Sequence, residues 1–398
     1  MRPFDDFGAW PALDKKRIVS VETLRFALHF RIEDKSMFGL NEKILRTYLE
    51  SLLDKTVEIV GFGPLGEPVE SGADKAYGYG LPILIDYKVG GQAKRAVLET
   101  MKPGPFGHED MADRAQVQLW NYETFKRLPR HARALDVGGF EKGKHLRSLR
   151  RIEECFVLME FVEGRGYFED LDRLRDHPEL SELDIARADA LCDYLVEIHR
   201  KPGPDPGLYI RHIRELLGHG ECIMGLMDSY PTPHGFITAA LLEEIEQKCL
   251  SWRWRIKTRT HRLRQRHGDF HPWNILFRMG TDFSVLDRSR GEWGDPADDI
   301  CSLTMNYLFS SLQRSGRLDG NLETIFQGFW RRYLEQSGDA EILEVAAPFL
   351  VFRALVMASP IWYPHLEDSV RQKLFNFMHA VLDEKSFNPE KANAYCGA

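Results

Sequence analysis

The stretch HGDFHPWNILF, His267 to Phe277, is the part of this sequence from which the fold is read. Asp269 and Asn274 stand five apart in it, and Asp287 follows thirteen residues beyond Asn274, at the end of the apolar run Phe283 to Leu286. Phosphoryl transfer asks for a carboxylate beside the nucleophile, oxygen ligands for Mg²⁺ and positive charge on the phosphates. A tight loop carrying an acid and an amide, followed by a hairpin that returns another carboxylate, supplies the first two. The spacing therefore assigns Asp269 as catalytic base. Asn274 and Asp287 become the Mg²⁺ ligands, because Mg²⁺ takes hard oxygen donors and is held by one or two carboxylates with phosphate and water. Taken singly, His, Gly and Asp are ordinary turn residues; the assignment rests on the combination.

The segment resembles the kinase catalytic loop H-R-D-x-x-x-x-N with its following metal-binding aspartate. Its variant H-G-D-F-H-P-W-N, together with GDPADDI at Gly294 to Ile300, is more similar to the aminoglycoside phosphotransferase and choline kinase branch than to protein kinases. Gly268 replaces the loop arginine, Arg288 and Ser289 follow Asp287 in place of Phe-Gly, and no A-P-E element follows. The resemblance implies an α+β, bilobal protein kinase-like fold, with a small antiparallel β-sheet lobe and a larger, mainly helical lobe. The expected division is an extension over 1–40, a nucleotide-binding lobe over 41–162 and a helical lobe with the catalytic loop over 163–398. In the resemblance Asp299 anchors the catalytic loop by accepting backbone hydrogen bonds, and His267 ties that loop down. His271 reads as a loop histidine that packs or faces solvent, with approach to substrate as the alternative. Trp273 stands where many relatives have glycine, and is expected to crowd the loop.

Composition fits this reading. The chain is 398 residues long, more than one core usually serves, so two lobes are expected. A net charge of -7 argues against a general nucleic-acid binder. Six cysteines are scattered without a C-x-x-C pair or zinc-like spacing, as in a reducing compartment. Met1 to Arg17 lacks a basic segment followed by an apolar one, and no apolar run of about 18 residues is present to span a membrane. A cytoplasmic protein without membrane or nucleic-acid partners is the expectation.

In the first lobe, Ile44, Leu45, Tyr48, Leu49, Leu52 and Leu53 recur at helical spacing, predicting a helix over Asn41 to Leu53. Thr56 to Phe62, Leu81 to Val89 and Lys94 to Lys102 read as strands, the last two joined by a Gly90-Gly91 turn. The glycine-rich interval before the second strand is where the resemblance puts the phosphate-covering loop. Gly78 and Gly80 are its candidate phosphate neighbours, and a plain turn explains the same glycines. The resemblance also makes Lys102 the phosphate-binding lysine and Glu123, on a helix over Met111 to Leu128, its ion-pair partner. Cys155 to Val162 reads as the last strand of the lobe. The resemblance makes the backbone of Glu160 to Val162 the neighbour of the adenine.

After Gly164 the pattern is helical apart from the catalytic segment, with a capping box at Ser181 and Asp184 opening a helix to Arg200. Further helices are expected over Leu208 to Leu217, Ala239 to Arg264, Leu322 to Gln336, Ala340 to Met357 and Leu366 to Asp383. The basic run from Arg253 to Arg266 reads as a solvated helix face. His199 is expected to be structural, and Asp295 and Pro296 to open a helix. Asp228, Tyr230, Trp330 and Tyr363 are candidates for lining the substrate cleft.

The activity implied is transfer of the γ-phosphoryl group of ATP, with Mg²⁺, to a hydroxyl of a small molecule: an aminoglycoside-like compound, a sugar or an amino-alcohol. The alternative from another class is a nucleotide-binding or scaffolding protein that keeps the fold without turnover. Asp269, Asn274 and Asp287, all present, weigh against it. The H-G-D loop and the missing A-P-E element weigh against a protein kinase.

Overall fold

The computed structural model describes residues 39–65, 82–104, 106–125, 132–141, 145–152, 154, 157–177, 179–288 and 290–397. They form two compact units that divide between 156 and 157. Gly78 and Gly80 lie outside the described residues.

The first unit opens with α1 (Glu42–Leu53). Its N-terminus is capped by Asn41, whose side chain accepts the Ile44 N–H at 3.0 Å, and Asp54 closes it in the left-handed region. Leu45 and Leu49 are buried on an antiparallel sheet in the order β1 (Val57–Pro64), β2 (Ile83–Val89), β3 (Gln92–Leu98). Gly90 and Gly91, at φ +56° and +79°, make the two-residue turn between β2 and β3, since both positions need the left-handed backbone that glycine adopts freely. The third strand stops at Leu98, short of Lys102, which the sequence reading had at its end. Leu98 pairs with Ile83, and the next partner along β2 is Pro82, which has no N–H to continue the ladder. Lys102 therefore lies in the irregular stretch that follows. After α2 (Met111–Phe125), which carries Glu123 in its last turn, comes the hairpin β4 (Gly138–Glu141) and β5 (His145–Ser148).

The apolar run expected as a strand over Cys155 to Val162 does not form one. Cys155 and Phe156 lie outside the described residues, and 157–162 is irregular chain, with Leu158 90% and Phe161 86% exposed. An apolar run is buried as a strand only when ladder partners flank it, and among the described residues none pairs with it.

After that irregular stretch, the second unit continues with β6 (Arg165–Gly166), α3 (Tyr167–Asp176), α4 (Glu182–His199), α5 (Gly207–Gly218), α6 (Ile223–Ser229) and α7 (Ala239–Ile256). Ser181 and Asp184 form the expected reciprocal cap on α4. Next come β7 (Arg264–Gln265), β8 (Ile275–Phe277), β9 (Phe283–Val285) and β10 (Trp293–Gly294), arranged as a β6-β8-β9 sheet and a β7-β10 pair. Helices α8 (Ala297–Ser315), α9 (Gly320–Ser337), α10 (Ile342–Ala358) and α11 (Asp368–Asp383) complete the core. Every residue of α8 from Ala297 to Leu312 is buried, and so is α10 from Val345 to Leu355; the two pack together, α10 apolar on nearly every side and α8 carrying buried polar residues among its apolar ones. The result is the α+β layout expected, a small antiparallel sheet with helices in one unit and a mainly helical second.

Further expectations fail in this unit. Helix α7 ends at Ile256 rather than near Arg264, and the basic run beyond it is not a solvated face. Arg262 and Arg266 are 4% and 3% exposed, and each is neutralised by a carboxylate from a distant part of the chain. Of the cleft candidates, Trp330 and Tyr230 are core residues at 1% and 4% exposure, Tyr230 donating to the Leu355 carbonyl. Among the described residues, no helix is long and apolar enough to cross a membrane.

Candidate active site

The β8–β9 hairpin sets Asp269 and Asn274 before one strand and Asp287 after the other. Ile275 pairs with Val285, and the Leu286 N–H donates to the Asn274 carbonyl at 2.8 Å, so the loop entering β8 and the turn leaving β9 lie side by side. Asn274 donates its Nδ2 to the Asp269 carbonyl at 3.1 Å and lies 3.5 Å from Asp269 Oδ2.

The loop is fastened by the first turn of α8. Asp299 accepts the backbone N–H groups of His267 and Gly268, both at 2.7 Å, which is the anchoring role expected of it. The same carboxylate lies 3.1 Å from His199 Nε2, and His199 Nδ1 lies 2.8 Å from the Tyr333 hydroxyl. Burial works to raise the Asp299 carboxyl; the hydrogen bond with His199, the two neighbouring imidazoles and the Gly268 N–H outweigh it and bring it to about 2. His267 is buried, and its Nδ1 accepts the Asp269 N–H at 3.3 Å. Gly268 is required: its φ is +93°, and a Cβ there would run into the Arg266 guanidinium.

Asp269 is 8% exposed and spoken for on one side. Its Oδ1 accepts Arg353 Nη1 at 2.7 Å and Arg290 Nη1 at 2.9 Å, while Oδ2 faces His271 Nε2 at 3.4 Å. Burial would raise this carboxyl, but the hydrogen bond with His271 and the charges of Arg353 and Arg290 override it and hold it well below the usual carboxylate range. His271 thus touches the acid rather than simply packing or facing solvent. The arginines belong to a longer alternation. Arg353 also reaches Asp298 at 3.1 Å, and Asp298 takes Arg266 at 2.6 Å, giving the order Arg266, Asp298, Arg353, Asp269, Arg290.

The sequence reading missed Arg290, Arg353 and the partnership of Asp298. One signal was present: Arg353 is the only charge between Val345 and Ala358 in an otherwise apolar helix, and a charge buried there demands a carboxylate partner. Which carboxylate it meets, 84 residues away, no local pattern reveals.

Asp287 differs from Asp269. It is exposed, sits at φ +54°, and makes no hydrogen bond or ion pair among the described residues. With its amide nitrogen turned to Asp269, Asn274 keeps Oδ1 as an acceptor. Two hard oxygen donors on adjoining chain segments suit Mg²⁺, whose shell is normally completed by phosphate and water. No cluster of three or more His, Cys, Asp or Glu forms a self-sufficient metal site among the described residues. A cavity of about 290 Å³ lies against Asp287, lined also by Tyr194, Gln265, His267 and Arg288. Trp273 does not crowd the loop; it is 47% exposed and stacks on Phe168 with ring centroids 5.6 Å apart.

The remaining predicted residues lie elsewhere. Lys102 and Glu123 are in the first unit, both exposed, and Glu160 and Val162 are in the irregular stretch that opens the second.

The family model described as "Phosphotransferase enzyme family" (APH) matches residues 136–338. Among solved structures, the chain is similar to the aminoglycoside phosphotransferase APH(2'')-Ib bound to ADP, at 16% identity over 86% of this chain and 97% of that one, with a TM-score of 0.31. It is also similar to an ethanolamine kinase of Plasmodium vivax (13% identity, 96% and 95% covered, TM-score 0.32). A third is the amicoumacin kinase hAmiN in complex with AMP-PNP, Ca²⁺ and Ami (13% identity, 88% and 97% covered, TM-score 0.40). No curated protein matches the sequence.

Proposed function

This chain belongs to the phosphotransferase enzyme family, and on that premise we propose that it transfers the γ-phosphoryl group of ATP to a hydroxyl of a small molecule, with Asp269 as base. The observation that carries the reading is the state of Asp269: an anionic carboxylate, gripped on Oδ1 by two guanidiniums and facing His271 and the Asn274 amide on Oδ2, with an unpartnered carboxylate, Asp287, at the other end of the same hairpin. The arginines fix the direction of the side chain, so Oδ2 is the atom that accepts the hydroxyl proton. A carboxylate so acidic is a weak base. It therefore orients the hydroxyl first and takes the proton late, which suits a loose transition state in which bond making lags.

Asn274 Oδ1 and the Asp287 carboxylate would hold Mg²⁺, which when bound neutralises charge on the phosphates. Lys102, directed by Glu123, is the proposed partner of those phosphates, with the Gly78 to Gly80 interval beside them and the backbone of Glu160 to Val162 at the adenine.

The test is ADP release from Mg-ATP across aminoglycosides, choline, ethanolamine, sugars and nucleosides. Release that depends on one class of acceptor supports the reading. A protein that fails to bind Mg-ATP at all contradicts it.

A further inference from the structure

The charges around Asp269 restrict the acceptor. The alternating cluster contains three arginines and two aspartates, so with Asp269 ionised it still carries one positive charge in excess. That excess is held rigidly. The guanidiniums of Arg290 and Arg353 both stand over the Phe352 ring, 5.1 and 4.5 Å from its centroid. Neither guanidinium is fully used. Arg353 keeps 6% of its side-chain surface, yet its Nε has no partner, and the buried Nε of Arg290 has none either. Arg290 spends Nη1 on Asp269 and on the Gly268 carbonyl at 2.9 Å, while its Nη2 donates to none of the described residues. Its side chain is 18% exposed, so it is the member of the cluster that a ligand at Asp269 meets.

A cationic acceptor placing its hydroxyl on Asp269 Oδ2 would bring its ammonium toward this positive cluster, where like charges repel. An anionic group finds the opposite: a fixed guanidinium whose Nη2 is unspent, a charged donor for one oxygen of a carboxylate or phosphate. Resting on the phosphotransferase reading above, we infer that the acceptor is a hydroxyl compound bearing a carboxylate or phosphate close to the reacting hydroxyl, recognised by Arg290. The inference turns the family resemblance around: the residues beside the base select against polyamines such as aminoglycosides.

The experiment uses matched acceptors that differ only in charge: glycerol, glycerate and glycerol 3-phosphate; glucose, gluconate, glucose 6-phosphate and glucosamine. The kcat/KM of each is measured on the full chain with Mg-ATP, for wild type, Arg290→Gln and Arg290→Lys. An anionic member should exceed its neutral counterpart by about 10- to 100-fold and the amine by more. The carboxylate and phosphate arms say which anion is meant. Arg290→Gln should erase the preference while leaving the KM for ATP within about threefold, and Arg290→Lys should keep its sign at reduced size. A preference for the amine overturns the inference and leaves the phosphotransferase reading standing. So does an Arg290→Gln enzyme with a raised KM for ATP and an unchanged acceptor ranking, which would put Arg290 on the nucleotide phosphates. Absence of transfer to every anionic member overturns the inference, and Mg-ATP binding, measured alongside, shows separately whether the phosphotransferase reading stands.

Discussion

Asp269 is 8% exposed, anionic and bonded on one oxygen to guanidiniums 21 and 84 residues away, whereas Asp287, at the other end of the same hairpin, is exposed, left-handed and bonded to none of the described residues. The difference follows from what each is proposed to do. A base must point one lone pair in one direction, so its other oxygen is tied down and its loop is fastened by Asp299. A metal ligand must stay available, and any internal partner would compete with the ion. The left-handed backbone at Asp287 is strain of the kind that persists at functional turns. On the proposed reading, held acid and free acid are complementary parts of one site, and each can be broken separately.

The held side breaks at its anchor. Asp299→Ala removes a buried carboxylate and strands the His267 and Gly268 N–H groups and His199, and should cost about 3 to 5 kcal/mol in chemical denaturation. The free side should respond in function instead of stability: Asp287→Ala is expected to weaken Mg-dependent nucleotide binding by about 100-fold, with little change in the midpoint of unfolding. A variant that unfolds early but binds normally would reverse the comparison.

The pH profile separates the two carboxylates further. Because the Asp269 carboxyl is depressed in the fold, its ionised form contributes stability above the unfolded value of about 3.9, and that contribution is lost only as pH falls through the lower folded value. Arg353→Met removes one of the charges that depress it. The stability gap between variant and wild type should then be widest above about pH 4 and close in stronger acid. A gap that is the same at every pH would mean that Arg353 only packs. The smallest effect is in the Asp287 backbone. Asp287→Gly should be more stable than Asp287→Ala by about 1 kcal/mol, since alanine resists the left-handed region that glycine accepts.

Much of this was legible from short-range signals. Helix α1, the Gly90-Gly91 hairpin and the cap on α4 are written in residues a few positions apart, and so is the spacing of Asp269, Asn274 and Asp287. What escaped depends on partners far along the chain. The end of β3 is decided by Pro82 on the neighbouring strand, and Arg262 and Arg266 are buried because Asp295 and Asp298 meet them. The run 157–162 has strand composition, but strand formation needs neighbours that composition cannot supply. At the site itself, the acid was readable and its arginines were not, although the one charge in the apolar stretch Val345 to Ala358 of α10 marks where one had to be.

The central claim is that Asp269 is the base of a phosphoryl transfer. Its most direct test is the single-turnover rate of ADP formation in Asp269→Asn against wild type, at saturating Mg-ATP and acceptor, with Mg-ATP affinity measured on both. The account predicts a fall of about 10³-fold in rate with affinity unchanged within about twofold. Equal rates in the two proteins would contradict it.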